Sequence, residues 1–181
     1  MYTYKKLSFF TISILVLTSI LSCTNTSKKN DDIKDEQINT VITITSKDVE
    51  TLEYIDYAFS NAASSVISNW AKFTELENHI QSITTGNLSV FKDIDSKTII
   101  SSLFADLRNE IPLALKTTPI LVRITVLETF FLKIEDLIKY EHSKGDLLND
   151  IKEILVARSN IILLINKKVE NDSQNITKPS F

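Results

Sequence analysis

The side chains of this 181-residue chain that could take part in chemistry are few. Cys23 is the only cysteine, so no intramolecular disulfide is possible. The two histidines, His79 and His142, fall near the ends of predicted helices, where a positive charge is favoured anyway. The sequence contains no paired Glu-x-x-His repeat, glycine-rich phosphate loop or Cys/His cluster with zinc spacing. We therefore predict a non-enzyme with no cofactor and no metal.

Two of the three arginines interrupt the apolar stripes of predicted helices. At about 100° per residue, Arg158 projects between Ile151 and Ile154. Arg123 projects into the apolar stripe of the preceding helix in the same way. A charged residue in the middle of an apolar face is informative, because such residues are rarely buried without a partner.

Three carboxylates lie on or near apolar arcs elsewhere: Asp56, Glu77 and Glu110. The first interpretation is that Arg123 and Arg158 form buried or half-buried ion pairs with them, since a guanidinium can serve a carboxylate through two hydrogen bonds. The second is an inter-helix pocket in which both arginines face an anionic ligand. The third is that both side chains extend to solvent at the edge of the bundle.

The N-terminal segment has the order of an export signal. Lys5 and Lys6 form a basic head, and an uncharged apolar run follows over residues 7–21. About 15 apolar residues are fewer than the roughly 20 needed to span a bilayer. We therefore predict a signal peptide over residues 1–22.

The residues Ile20, Leu21, Ser22 and Cys23 resemble the lipobox of bacterial lipoproteins. The resemblance implies that the chain is cut before Cys23 and that the thiol carries a diacylglycerol and a further acyl chain such as palmitate. It also implies lipid anchoring in the bacterial cell envelope, at the outer membrane or cell surface. The alternative is an ordinary secretory signal followed by a free cysteine.

Residues 23–45 follow as a polar, charged segment that cannot bury enough apolar surface to order itself, so we predict a flexible tether. This layout resembles helical surface lipoproteins of borrelial spirochaetes and of Bacteroidota, a likeness that implies location and not activity. The end of the tether, residues 39–45, alternates apolar and polar residues as an extended arm would. The arm either lies against the domain or pairs with a partner's edge.

Charge argues against nucleic acid as a partner. Removal of Lys5 and Lys6 would leave 18 basic residues against 23 acidic ones. The sequence contains no basic patch with interleaved aromatic residues.

Residues 46–170 predict an all-α domain, an antiparallel four-helix bundle followed by a polar tail over residues 171–181. Ser46 is expected to cap the first helix, Gly86 to follow its end, and Thr118 to cap the third with Pro119 in its first turn. The predicted helices cover residues 47–84, 96–110, 119–141 and 146–169.

Two functions fit this layout. The first is a lipid-anchored interaction module that binds a protein partner, with Val122, Leu132 and Val156 as candidate outer contacts. The alternative is an extracytoplasmic binding protein for a small anionic or amphiphilic ligand, held between helices by Arg123 and Arg158.

Overall fold

The structure is a computed structural model and describes residues 43–140 and 142–174. The predicted signal peptide, Cys23, most of the tether and residues 175–181 lie outside the described residues. The described part is all-α, as predicted, and contains no strand. Its helices are α1 (Ser46–Glu50), α2 (Asn61–Ile67), α3 (Ala71–Thr84), α4 (Ser96–Asn109), α5 (Thr118–Lys139) and α6 (Lys144–Ser173). Short 3-10 turns at Ser89–Phe91 and Leu113–Leu115 precede α4 and α5.

The three later helices α4, α5 and α6 lie close to the predicted ranges. Helix α6 begins two residues early because the Ser143 hydroxyl accepts a hydrogen bond from the Asp146 amide at 3.1 Å. The predicted cap of α5 is wrong by one residue. Thr117 is the N-cap, and Thr118 is already helical with Pro119 in the first turn, where a missing N–H group costs nothing.

The predicted first helix, 47–84, is wrong. The chain instead forms α1, an extended segment over residues 52–60 that we call the strap, then α2 and α3. Half-buried and exposed residues alternate in each half of the strap, at Leu52 and Tyr54 and again at Tyr57 and Phe59, with two exposed residues between the halves. Its aromatic and β-branched residues favour extended backbone, and Ser60 then caps α2. The cap of α1 is Thr45 rather than Ser46, because Thr45 and Asp48 form a reciprocal capping box.

One hydrophobic core holds these elements together. Trp70, Phe104 and Phe131 are its largest fully buried side chains. The rings of Phe104 and Phe131 meet edge to face at 5.3 Å between centroids. The Trp70 indole N–H donates to the backbone carbonyl of Leu107 at 3.2 Å, so its polar end is satisfied inside the core.

Side-chain pairs fix the relative direction of the long helices. Ser96 at the start of α4 contacts Glu135 near the end of α5, and Arg108 at the end of α4 contacts Glu128 earlier in α5. The order is reversed along the two helices, so α4 and α5 run antiparallel. Lys133 in the second half of α5 contacts Asp150 near the start of α6.

Gly86 ends α3 in a left-handed turn with φ of 81°. Its amide donates to Ile83, and the Asn87 amide donates to Ser82, the pair of bonds that defines a Schellman motif. A Cβ atom at Gly86 would lie 2.4 Å from the backbone oxygen of Ile44. The described end of the predicted arm, residues 43–45, therefore lies against the domain, with Ile44 buried.

Candidate functional site

Arg158 of α6 joins the strap to α3. Its Nη2 and Nε donate to the Glu77 carboxylate at 2.8–3.1 Å, and its Nη1 donates to Asp56 Oδ1 at 2.9 Å. The side chains of Arg158 and Glu77 are 21% and 26% exposed. Asp56 and Glu77 are two of the three carboxylates that the sequence offered. Carboxylates of the chain itself therefore accept hydrogen bonds from all three nitrogens of the guanidinium group.

The charges of this cluster are mutually stabilising. Burial alone would lower the pKa of Arg158, but the hydrogen bond to Glu77 and the charges of Glu77 and Asp56 outweigh it and raise the pKa. Burial raises the pKa of the neighbouring Tyr54 hydroxyl, with a smaller contribution from Asp56. Arg158 therefore stays charged, and its role in this arrangement is to hold three elements together.

The inward orientation predicted for Arg123 is wrong. Arg123 is exposed and forms no ion pair with any residue in the described ranges. On α5 it lies just outside the stripe of buried residues that includes Ile124 and Ile134, so its long side chain extends into solvent. Glu110, at the exposed end of α4, likewise lacks an ion pair within the described part of the chain. The two arginines therefore differ in environment, because Arg158 is paired with carboxylates and Arg123 is exposed and unpaired within the described residues.

Two polar side chains of α6 bind the backbone of the strap. The Ser159 hydroxyl accepts from the Tyr57 amide at 2.9 Å and donates to the Ile55 carbonyl at 2.6 Å. Asn166 accepts from the Ser60 amide and donates to the Ala58 carbonyl, both at 2.9 Å. Each side chain thus serves the carbonyl of one residue and the amide two residues later, as a neighbouring strand would.

The spacing of these two contacts explains the strap's extended form. Ser159 and Asn166 are seven residues apart, which is about 10.5 Å along an α-helix. The matching strap positions are three residues apart, and three extended residues span about 10 Å. The two distances match, so strap backbone groups can bond to Ser159 and Asn166 of α6 when the strap is extended. These bonds replace the intrahelical hydrogen bonds that a helix would form. The sequence signal was a pair of polar residues seven apart on one side of α6, which the helix prediction did not use.

Two buried acids were not singled out from the sequence. Asp150 of α6 is 1% exposed, with one oxygen 2.6 Å from Lys133 Nζ and the other without a partner. Glu135 of α5 is 5% exposed and accepts a hydrogen bond from the Ser96 hydroxyl at 3.1 Å. Helical projection would have found both, because each adjoins the buried stripe of its helix.

Two open grooves flank the segment between α3 and α4. Asp93 lines both of them. The first also includes Ile94 and Ile138, and the second includes Val90 and Ile99. Ile94 is 95% exposed, an unusual environment for so large an apolar side chain. We call the four apolar residues Val90, Ile94, Ile99 and Ile138 the connector face.

The outer residues proposed from the sequence do not form a single patch. Val122 is 53% exposed, but Leu132 is half-buried against the core. The two are ten residues apart on α5, about 15 Å along its axis. Val156 on α6 is half-buried. In the connector face, by contrast, Ile94 and Ile99 are both exposed and line grooves that share Asp93.

In the described part of the chain, no group of three or more His, Cys, Asp or Glu residues is placed to hold a metal ion. No helix there is both long and apolar enough to cross a membrane. Cys23, the predicted lipid attachment site, lies outside the described residues. No protein-family profile, curated protein or solved structure matches this chain.

Proposed function

We propose that this chain is a lipid-anchored extracytoplasmic interaction module that binds a protein partner at the bacterial cell envelope. The anchor is the lipid on Cys23, the tether over residues 23–45 spaces the domain from the membrane, and the helical domain carries the binding surface. The apolar run that ends in Ile20, Leu21, Ser22 and Cys23 supports the anchoring step. In this proposal the lipid holds the domain at the outer membrane or cell surface.

The observation that carries the choice of a protein partner is the pairing of Arg158. Its guanidinium is bound by Glu77 and Asp56 at 2.8–3.1 Å, so it serves the fold and offers no open cation to a small ligand. Since Arg123 is exposed, it does not supply a buried second cation, and the alternative pocket for an anionic ligand is less well supported. Recognition then belongs to the outer surface.

The connector face is the surface that we assign to this binding. Exposed Ile94 lines one groove with half-buried Ile138, and exposed Ile99 lines the other with half-buried Val90. Both grooves include Asp93 of the segment between α3 and α4. Interface cores are formed by apolar side chains that a partner desolvates together. We further propose that α3, α4, α5 and α6 form an antiparallel four-helix arrangement that holds this segment at one end.

A photo-crosslinking amino acid placed at Ile94 of the full-length chain, expressed in cells that export and anchor it, tests this function. We expect a discrete crosslinked protein that competes away when the unlabelled chain is present in excess. The matched control carries the same photo-crosslinker at the exposed Lys167 of α6 and should give no such product. Equal products from both positions, or none from Ile94, would contradict the proposal.

A further inference from the structure

One of the two grooves beside the connector face has a carboxylate in its lining. This groove, which we call the Glu135 groove, has a volume of about 380 Å³. Phe91 and Ile138 supply apolar lining, Ile94 stands at its exposed side, and Glu135 is its only buried charged residue. A carboxylate in such a place requires a partner, because a poorly hydrated charge is costly without one.

Only one of the two oxygens of the Glu135 carboxylate accepts a hydrogen bond within the described residues. Its Oε1 accepts from the Ser96 hydroxyl at 3.1 Å. Its Oε2 has no hydrogen-bond partner among the described residues. Among the described residues, Asp150 Oδ2 is the one side-chain oxygen or nitrogen that is inaccessible to solvent and has no hydrogen-bond partner. Since Glu135 Oε2 also has no partner, it must still be accessible to solvent. Since Glu135 lines the groove, this oxygen is available to a donor that enters it.

The other charges of the groove leave that oxygen unpaired. Lys92, Asp93 and Lys139 are exposed, and neither lysine lies within 4.0 Å of the Glu135 carboxylate. The neighbouring elements contribute the neutral Ser96 from α4 and Phe91 from the 3-10 turn. The groove therefore combines one acceptor oxygen of a largely buried side chain, which solvent still reaches, with apolar walls and exposed charges from two lysines and one aspartate.

We propose that the Glu135 groove receives a single lysine or arginine side chain of the protein partner, an inference that rests on the proposed function. The cationic group donates to Glu135 Oε2, and its methylene stem lies on Phe91 and Ile138. Long basic side chains bind in this way, with an apolar stem packed and the charge held at its end. A charge-assisted hydrogen bond in such a site is about twice as strong as a neutral one.

Two features favour a side chain of a protein over a free amine. The groove is open along the surface, so a small amine would remain largely hydrated. Ile94, almost fully exposed beside the groove, can be covered only by a larger body. The exposed Lys92 and Lys139 also line the groove. They favour a partner segment in which acidic residues lie on either side of the basic residue that enters.

The probe that tests this inference is trifluoroacetyl-Glu-Leu-Lys-Leu-Glu-amide, titrated with the full mature chain in detergent and followed by fluorine NMR. We expect saturable binding that weakens by about tenfold in Glu135→Gln, since a charge-assisted hydrogen bond is lost. The same peptide with Nε-acetyl-lysine should weaken equally. Glutamine retains an acceptor for Ser96, and thermal unfolding of the variant verifies that the fold is kept.

The matched control is Asp136→Asn, which removes the same charge from the next, exposed position of α5 and should leave binding unchanged. Equal binding by Glu135→Gln and the intact chain would overturn the inference. So would butylammonium binding as tightly as the peptide, since the groove would then be a site for free amines. If the Ile94 crosslink persists unaltered in Glu135→Gln, the partner proposal stands and the side-chain proposal fails.

Discussion

Arg158 and Glu77, 81 residues apart in the sequence, meet through three hydrogen bonds of 2.8–3.1 Å. The same guanidinium also reaches Asp56 of the strap. One side chain of α6 thereby fixes both α3 and an extended segment that has no sheet to join. Because Arg158 is already paired with carboxylates, it is not free to bind an anionic ligand, and we therefore look for a binding site on the outer surface.

Replacing Arg158 by methionine should destabilise the fold by about 2 kcal/mol, because Glu77 and Asp56 lose their charged donors while remaining partly buried. Urea unfolding of the full chain measures this change. The control is Arg123→Met, which removes an exposed, unpaired arginine and should change the free energy of unfolding by less than about 0.5 kcal/mol. Equal effects of the two substitutions would contradict a structural role for the Arg158 cluster.

Ser159→Ala should release the middle of the strap. The substitution leaves the Tyr57 amide and the Ile55 carbonyl without their partner, at a cost of about 1–3 kcal/mol. Hydrogen exchange at the Tyr57 amide should accelerate before that of α4 or α5. Ser64→Ala, in an exposed position of α2, is the control and should leave that amide unaffected. Slow exchange at Tyr57 in the Ser159 variant would argue against this anchoring.

Acidification should weaken the contact between α1 and α6. The Lys144 hydrogen bond at 2.8 Å, then those of Thr45, lower the pKa of Asp48 from 3.8 to about 2. A lowered carboxyl pKa contributes stability above its unfolded value, and that contribution is lost as the pH falls from about 3.8 through about 2. Asp48→Asn should therefore lose less stability than the intact chain across this range, measured by urea unfolding at each pH. Lys144→Met should also flatten the profile, and a profile unchanged in both variants would contradict the assignment.

The two described glycines should respond oppositely to alanine. Gly86→Ala places a Cβ 2.4 Å from the Ile44 oxygen at a positive φ, so we expect a loss of about 2 kcal/mol or more. In Gly145→Ala the nearest atom is the Ser143 hydroxyl at 3.7 Å, and α6 should gain up to about 1 kcal/mol. Thermal unfolding of both variants checks the contrast. A stable Gly86→Ala chain would show that the arm does not lie against this turn.

Local sequence signals predicted the later helices because their boundaries depend on neighbouring residues. The predicted start of α6 at residue 146 is within two residues of the observed one, and Pro119 falls in the first turn of α5 as predicted, although the caps Ser143 and Thr117 were missed. The strap could not be predicted in this way. Its spacing of Leu52, Ile55 and Phe59 fits a helix, and the competing hydrogen bonds come from α6, about a hundred residues later.

The sequence predicted which residues of the candidate site lie on apolar helix faces, but it did not predict which of them pair. Helical projection placed Arg158 within an apolar stripe, but the choice of Glu77 and Asp56 over Glu110 depends on how α3, the strap and α6 pack. Projection misplaced Arg123 because that residue lies at the margin of its stripe, where a long side chain can reach solvent. The connector face was missed because its exposure is set by the turn before α4 and by no periodic pattern.

We propose that this domain works at a membrane surface and is held there by lipid on Cys23. The most direct test is the intact mass of the full-length chain extracted from the membranes of an exporting bacterium. We expect a mature chain that starts at Cys23 and carries a diacylglyceryl thioether and acyl groups, and we expect Cys23→Ser to release the protein from the membrane fraction. A free thiol at Cys23, or cleavage at another residue, would contradict it.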